Sequence, residues 1–356
     1  MRERLHAVAI ALLSLTMAGG AQAQVATHVP DVVAGAKPAT VQHIKVHSPA
    51  IEGNLEGESA DRDVIVVLPP SYASNPRRRY PVVYALHGYS IGAAQWIQEI
   101  HVPQTIEGAF ARGTREMIVV LPDSKTVHNG SMYSSSATTG DFETFVSRDL
   151  VAYVDAHYRT IADRRSRGLV GHSMGGYGAS RIGMKHPDVF GALYLMSPCC
   201  LSPRDPSQMP AELAAKLAAV KSIAEAQQLG WGERAMLASA AAWSPNPGNP
   251  PLYLDLPVKD GKVQPDVAAK WAANAPLAFV DQYIGNLKRY AAISIDVGDQ
   301  DGLRFDAQKL HEVLDRYGIA NAFELYSGTH TSEVAVRVQE HVLPFFSRTL
   351  RFDAKP

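Results

Sequence analysis

A serine set among glycines carries the clearest chemistry in this chain: Gly171-His172-Ser173-Met174-Gly175-Gly176 fits the pattern G-x-S-x-G. The short apolar run Arg167-Gly168-Leu169-Val170 before it predicts a strand. Ala179, Ile182 and Met184 after it have helical spacing over 177–186. A strand, a tight turn and a helix would present the Ser173 hydroxyl on a sharp corner. Glycines at 171 and 175 would leave room for close approach of the backbone.

A serine hydroxyl is a poor nucleophile at neutral pH. It needs a base, an acid to orient that base, and donors for the developing oxyanion. Later in the chain, Tyr326-Ser327-Gly328-Thr329-His330-Thr331 offers a single histidine, so His330 is the expected general base. The run Asp296-Val297-Gly298-Asp299-Gln300-Asp301-Gly302 offers three acids. Asp296 falls inside a strand pattern. Asp301 lies farther out, where the chain can turn back towards His330, and is favoured over Asp299. The order serine, acid, histidine is that of α/β-hydrolases. The expected oxyanion donors are two backbone N–H groups, those of Met174 and of Tyr89 in the loop that begins His87-Gly88. Trp96, Tyr133 and Trp231 are candidates for lining a substrate pocket, although each also suits a core position.

Strand-like runs at 41–47, 63–68, 80–86, 117–121, 191–196, 291–297 and 321–326 must position these groups. The expected helices lie at 141–157, 304–317 and 333–349. Strands alternating with helices imply an α/β fold, a mostly parallel sheet covered on both faces. Residues 203–290 break the alternation. Their helical stretches at 210–228 and 268–290 flank a Pro-rich segment, so they are expected to form a cap over the carboxyl ends of the strands.

The chain has 356 residues, 46% hydrophobic and 19% charged, with a formal net charge of -1. Nothing in that balance points to nucleic acid or to an anionic membrane. Arg2 and Arg4, an apolar stretch over 7–17 and Ala21-Gln22-Ala23 make residues 1–23 an expected secretory signal peptide. The protein would then be exported, either periplasmic or secreted. Residues 24–40 are expected to form a flexible arm, and 41–356 a hydrolase domain carrying the insertion. The two cysteines, Cys199 and Cys200, are adjacent. They read either as two small buried thiols or as a vicinal disulfide. His43 and His47 share a strand face without a third ligand, and neither a phosphate-binding loop nor a dinucleotide motif is present, so no metal or cofactor is expected.

Leu86-His87-Gly88-Tyr89, Leu121-Pro122-Asp123, the helix with Glu143-Thr144-Phe145 and Arg148-Asp149-Leu150, the Ser173 motif, Gly298-x-x-Asp301 and Gly328-x-His330 together resemble the esterase D family of α/β-hydrolases. That family includes feruloyl esterases, S-formylglutathione hydrolases and mycolyltransferases. The resemblance covers 60–202 and 290–348. It implies a triad of Ser173, Asp301 and His330, with Met174 and Tyr89 N–H as the oxyanion hole. The expected function is a secreted serine carboxylic-ester hydrolase acting through an acyl-enzyme on a small or polysaccharide-linked ester, with feruloyl and related plant-wall esters as the expected class. The alternatives are an acyltransferase using the same triad and a non-catalytic binding protein on the same scaffold. Export argues against cytosolic formaldehyde detoxification, and the insertion leaves the ester open.

Overall fold

The computed structural model describes residues 25–353. The expected signal peptide lies outside them. Eight strands build the main sheet: β1 (Thr40–His47), β2 (Asp61–Leu68), β3 (Val82–Leu86), β4 (Ile118–Pro122), β5 (Arg167–His172), β6 (Ala192–Met196), β7 (Ala292–Gly298) and β8 (Ala322–Tyr326). Their order is β1-β2-β4-β3-β5-β6-β7-β8. β2 runs antiparallel to β1 and β4, and β3 to β8 are parallel. This is the arrangement of the α/β-hydrolase fold, and every expected strand is present.

Two-residue alternation sends neighbouring side chains to opposite faces of the sheet. Val82, Tyr84 and Leu86 of β3 join one buried cluster, while Val83 and Ala85 join the other. The second face is covered by α1 (Ala93–Glu99) and α2 (Gln104–Ala111), with a C-terminal helix described below. On the first face, the helix expected over 141–157 forms as a turn, Phe142–Thr144, a π-helical segment, Phe145–Asp149, and α3 (Leu150–His157). Beside it packs α4 (Met174–Lys185), buried along almost its whole length. The insertion supplies α5 (Ala211–Ala218), α6 (Trp231–Trp243) and α7 (Pro265–Ala273), plus a small hairpin pairing Val258–Lys259 with Lys262–Val263. After the insertion, α8 (Arg304–Arg316) covers the first face, and the helix expected over 333–349 forms as a turn, Val334–Arg337, a π-helical segment, Val338–Val342, and α9 (Leu343–Thr349) on the second. No described helix is long and apolar enough to cross a membrane.

The segment expected to be a flexible arm is instead tied along the body. Val25 is buried and its N–H donates to Glu99 Oε2 at 2.7 Å. His28 N–H donates to the Ser332 carbonyl at 2.6 Å, and Gln104 Nε2 donates to the Pro30 carbonyl at 2.7 Å. Composition reads such a stretch as loose. Backbone groups that find partners on the body hold it in place, which composition does not record.

Glu143 joins the first-face helices to the insertion. It accepts from Arg181 Nε at 2.7 Å and faces Lys185 and His186 at 3.2 Å each. Arg181 in turn donates to Asn274 Oδ1, at the end of α7, at 2.6 Å. Burial alone would raise the Glu143 pKa, but the His186 hydrogen bond and the Arg181 and Lys185 charges bring it down to about 2. A depressed carboxyl stabilises the fold above its unfolded pKa, and that contribution fades as pH falls towards the folded value. Glu143→Gln is therefore expected to cost on the order of 3 kcal/mol at pH 7. The difference from the parent should shrink between about pH 4.5 and about 2. Denaturant unfolding at pH 7 and at pH 3 measures both.

Candidate active site

β5 ends at His172, Ser173 follows as the N-cap, and α4 begins at Met174. Ser173 has φ 58° and ψ −114°, a conformation that costs roughly 1–3 kcal/mol for a residue with a side chain. The flanking glycines are there because their surroundings admit nothing larger. A Cβ on Gly171 would overlap the Gly175 carbonyl, and one on Gly175 would overlap the Leu86 carbonyl. The corner is pinned by the Ser173 N–H, which donates to the Met196 carbonyl at 3.0 Å. The Ser173 carbonyl accepts from Tyr177 and Cys199 N–H at 3.0 and 3.1 Å.

His330 Nδ1 lies 2.7 Å from Asp301 Oδ2. Asp301 is almost fully buried, and the His330 ring is about one-third exposed. Leu303 N–H donates to the other carboxylate oxygen of Asp301 at 2.9 Å. Burial would raise the Asp301 pKa, yet the hydrogen bond and charge of His330 and the Leu303 N–H hold it below its ordinary value. Asp301 therefore stays ionised beside the ring. An ionised carboxylate only accepts, so Nδ1 carries the hydrogen and Nε2 is left to take a proton.

The other two acids have different duties. Asp299 is exposed, and its Oδ1 accepts from Gly328 N–H at 3.0 Å, which fastens the histidine loop to the acid loop. Asp296 is fully buried and accepts from Tyr194 OH at 2.7 Å and Arg337 Nε at 2.8 Å. Burial pushes its pKa up to about 6 in spite of Arg337. The histidine loop gains a third anchor where His172 Nε2 meets the His330 carbonyl at 2.8 Å. Burial and the neighbouring His330 ring push the His172 pKa down to about 3, so this side chain is a neutral donor to that carbonyl.

The loop after β3 passes over Ser173. A Cβ on Gly88 would stand 3.5 Å from Ser173 Cβ. His87 is fully buried and bridges two loops. Ser124 N–H donates to its Nε2 at 2.8 Å, so its Nδ1–H donates to the Gly88 carbonyl, also at 2.8 Å. Its role is structural. The loop is braced again where Ser90 N–H meets the Asn129 carbonyl at 3.0 Å and Tyr89 OH meets the His128 carbonyl at 2.9 Å. Asp123 accepts from Ala93 N–H at 2.9 Å. Gly130 is squeezed between Met174 Sδ and the Tyr89 ring. Met174 N–H, at the first position of α4, has no acceptor within the helix.

The three aromatic candidates separate. Trp96 is buried in the second-face cluster, away from the nucleophile helix, and is a core residue. Tyr133 is fully buried beneath the site, its OH donating to the His87 carbonyl at 3.0 Å. Only Trp231 reaches the surface of the site. It is 55% exposed, stands edge-on to Tyr89 at 5.3 Å between ring centres, and its Nε1 donates to Ser90 Oγ at 3.2 Å. Residues that the sequence did not point to are Asn129 and Asp123, which brace the loop after β3. Both act across long sequence separations. His47 pairs with Asp61 and Glu52 on the exposed face of β1, away from these loops.

The model of the family described as "Putative esterase" matches residues 58–336. The chain belongs to this esterase family. A relative from Xylanibacter ruminicola, "Endo-1,4-beta-xylanase/feruloyl esterase", is 29% identical over 37% of this chain and 19% of its own length. "Esterase Rv1288" of Mycobacterium tuberculosis is 31% identical over 35% of this chain and 26% of its own. The chain thus spans about a fifth to a quarter of the curated relatives it matches. A solved structure titled "ferulic acid esterase" shares the fold with a TM-score of 0.62 at 24% identity, over 88% of this chain and 99% of that one.

Proposed function

We propose that this esterase is an exported serine carboxylic-ester hydrolase working through an acyl-enzyme on Ser173. The observation that carries the proposal is the 2.7 Å bond from His330 Nδ1 to the buried Asp301, on loops fastened to the Ser173 corner. In this reading Ser173 Oγ attacks the ester carbonyl as His330 Nε2 takes its proton. The N–H groups of Met174 and Tyr89 receive the oxyanion. His330 returns the proton to the leaving alkoxide. Water then repeats the sequence and releases the acid. Residues 1–23 would direct export, and 203–290 would act as the cap that selects the ester.

A feruloyl or related plant-wall ester is the proposed substrate class. The name of the Xylanibacter relative supports it, as does Trp231 at the mouth of the site. Trp231→Ala is expected to raise KM for hydroxycinnamate esters about fivefold while leaving that for acetyl esters within about twofold. Steady-state kinetics on both esters checks it.

The test of the whole reading is a fluorophosphonate probe on the folded protein, followed by peptide mapping. Labelling at Ser173 and release of free acid from a hydroxycinnamate ester are expected. Absence of labelling would leave a non-catalytic binding scaffold. Transfer to an added sugar or alcohol, with little free acid, would make the protein an acyltransferase.

A further inference from the structure

Neither the proposed triad nor the cap uses the cysteine pair. Cys199 and Cys200 follow β6 and lie against the first turn of α4. Their sulfurs are in contact at 2.7 Å, and both residues are partly buried. Cys200 has φ 60°, in the left-handed region that a residue with a side chain rarely adopts. Arg204 Nη2 stands 3.8 Å from Cys200 Sγ. Cys199 N–H donates to the Ser173 carbonyl. The adjoining Pro198 fills the space against Gly176, where a Cβ would crowd it.

We propose that Cys199 and Cys200 form a redox-active modification site, closing to a vicinal disulfide that lowers turnover at Ser173. A low-molecular-weight disulfide is the oxidant. Cys200 thiolate attacks one of its sulfurs and expels a thiol, leaving a mixed disulfide. Cys199 then loses its proton to solvent and attacks the Cys200 sulfur, which expels the second thiol. Two electrons pass from the pair to the oxidant, and one S–S bond replaces another. The hydrogen bond from Cys199 and the Arg204 charge hold the Cys200 thiol below its ordinary pKa, although burial opposes them. This makes Cys200 the attacking sulfur.

Adjacent Cα atoms lie about 3.8 Å apart, closer than the roughly 4.4–6.8 Å usual across a disulfide, so the ring strains the peptide inside it and is readily reduced. That peptide is the Cys199 carbonyl and the Cys200 N–H; closing the ring turns Cys199 about its backbone, and its own N–H, which donates to the Ser173 carbonyl, turns with it.

The experiment treats the folded protein with oxidised glutathione or with a reductant, then measures intact mass, alkylatable thiols and nitrophenyl-ester turnover. The expected oxidised form is lighter by about 2 Da, offers no thiol to iodoacetamide, and turns over about tenfold more slowly until reduced. Cys200→Ser should show neither the mass loss nor the response to oxidant. Two alkylatable thiols after oxidation, or a stable glutathione adduct, would overturn closure. Closure with unchanged turnover would overturn the coupling to Ser173. The thiol count holds whether or not the ester-hydrolysis reading survives.

Discussion

Ser173→Ala is expected to lower kcat by about 10⁵–10⁶, with KM for the same ester changed by no more than about threefold. The hydroxyl is the only group at the Ser173 corner that can make the new bond, and nothing else there can form an acyl-enzyme. What survives would come from the two oxyanion N–H groups and from binding. Alanine retains the Cβ, so the φ of 58° is as strained as before and the corner keeps its shape. The melting temperature should therefore stay close to that of the parent. Turnover on a nitrophenyl ester and a thermal melt, run together, separate lost chemistry from lost folding. Turnover within tenfold of the parent would remove Ser173 from the mechanism.

Asp301→Asn is expected to lower kcat by about 10⁴. Asp301 accepts from Leu303 N–H and from His330 Nδ1–H, and an amide at its position offers N–H where the ring now finds a carboxylate. Facing that donor, the imidazole would carry its hydrogen on Nε2, the atom that must accept the Ser173 proton. The amide also carries no negative charge to stabilise the imidazolium. Asp299→Asn leaves an oxygen for the Gly328 N–H and should stay within about threefold of the parent. A pH–rate profile of both variants distinguishes the two roles, because only the change at 301 should alter the limb governed by His330.

The sheet was legible because two-residue alternation and strand-ending Gly and Pro are local signals, and all eight strands fall where those signals place them. The Ser173 corner was legible for the same reason: the glycine spacing encodes a steric demand made by Gly175 and Leu86 carbonyls nearby. The aromatic residues were not. Trp96 and Trp231 are equally suited to a pocket in sequence, yet Trp96 is packed on the second face and Trp231 stands over Tyr89. Nothing within a few residues of either decides this. The bracing of the oxyanion-side loop by Asp123 and Asn129 was hidden too, since hydrogen bonds between distant loops leave no period or spacing. The helix over 141–157 was placed correctly, but its π-helical middle was not, because apolar spacing tolerates one extra residue in a turn.

The docked arm gives chain processing an unexpected reach. Thr27 Oγ1 lies 3.2 Å from the Ser332 carbonyl, across 305 positions of sequence, and accepts from Ala335 N–H at 3.1 Å. His28 adds its own bond to Ser332, two residues beyond His330. The start of the described chain is thus a splint on the loop that carries His330. A purification tag, a shortened clone or a protease nick near residue 28 would remove contacts of the His330 loop without altering one residue in it.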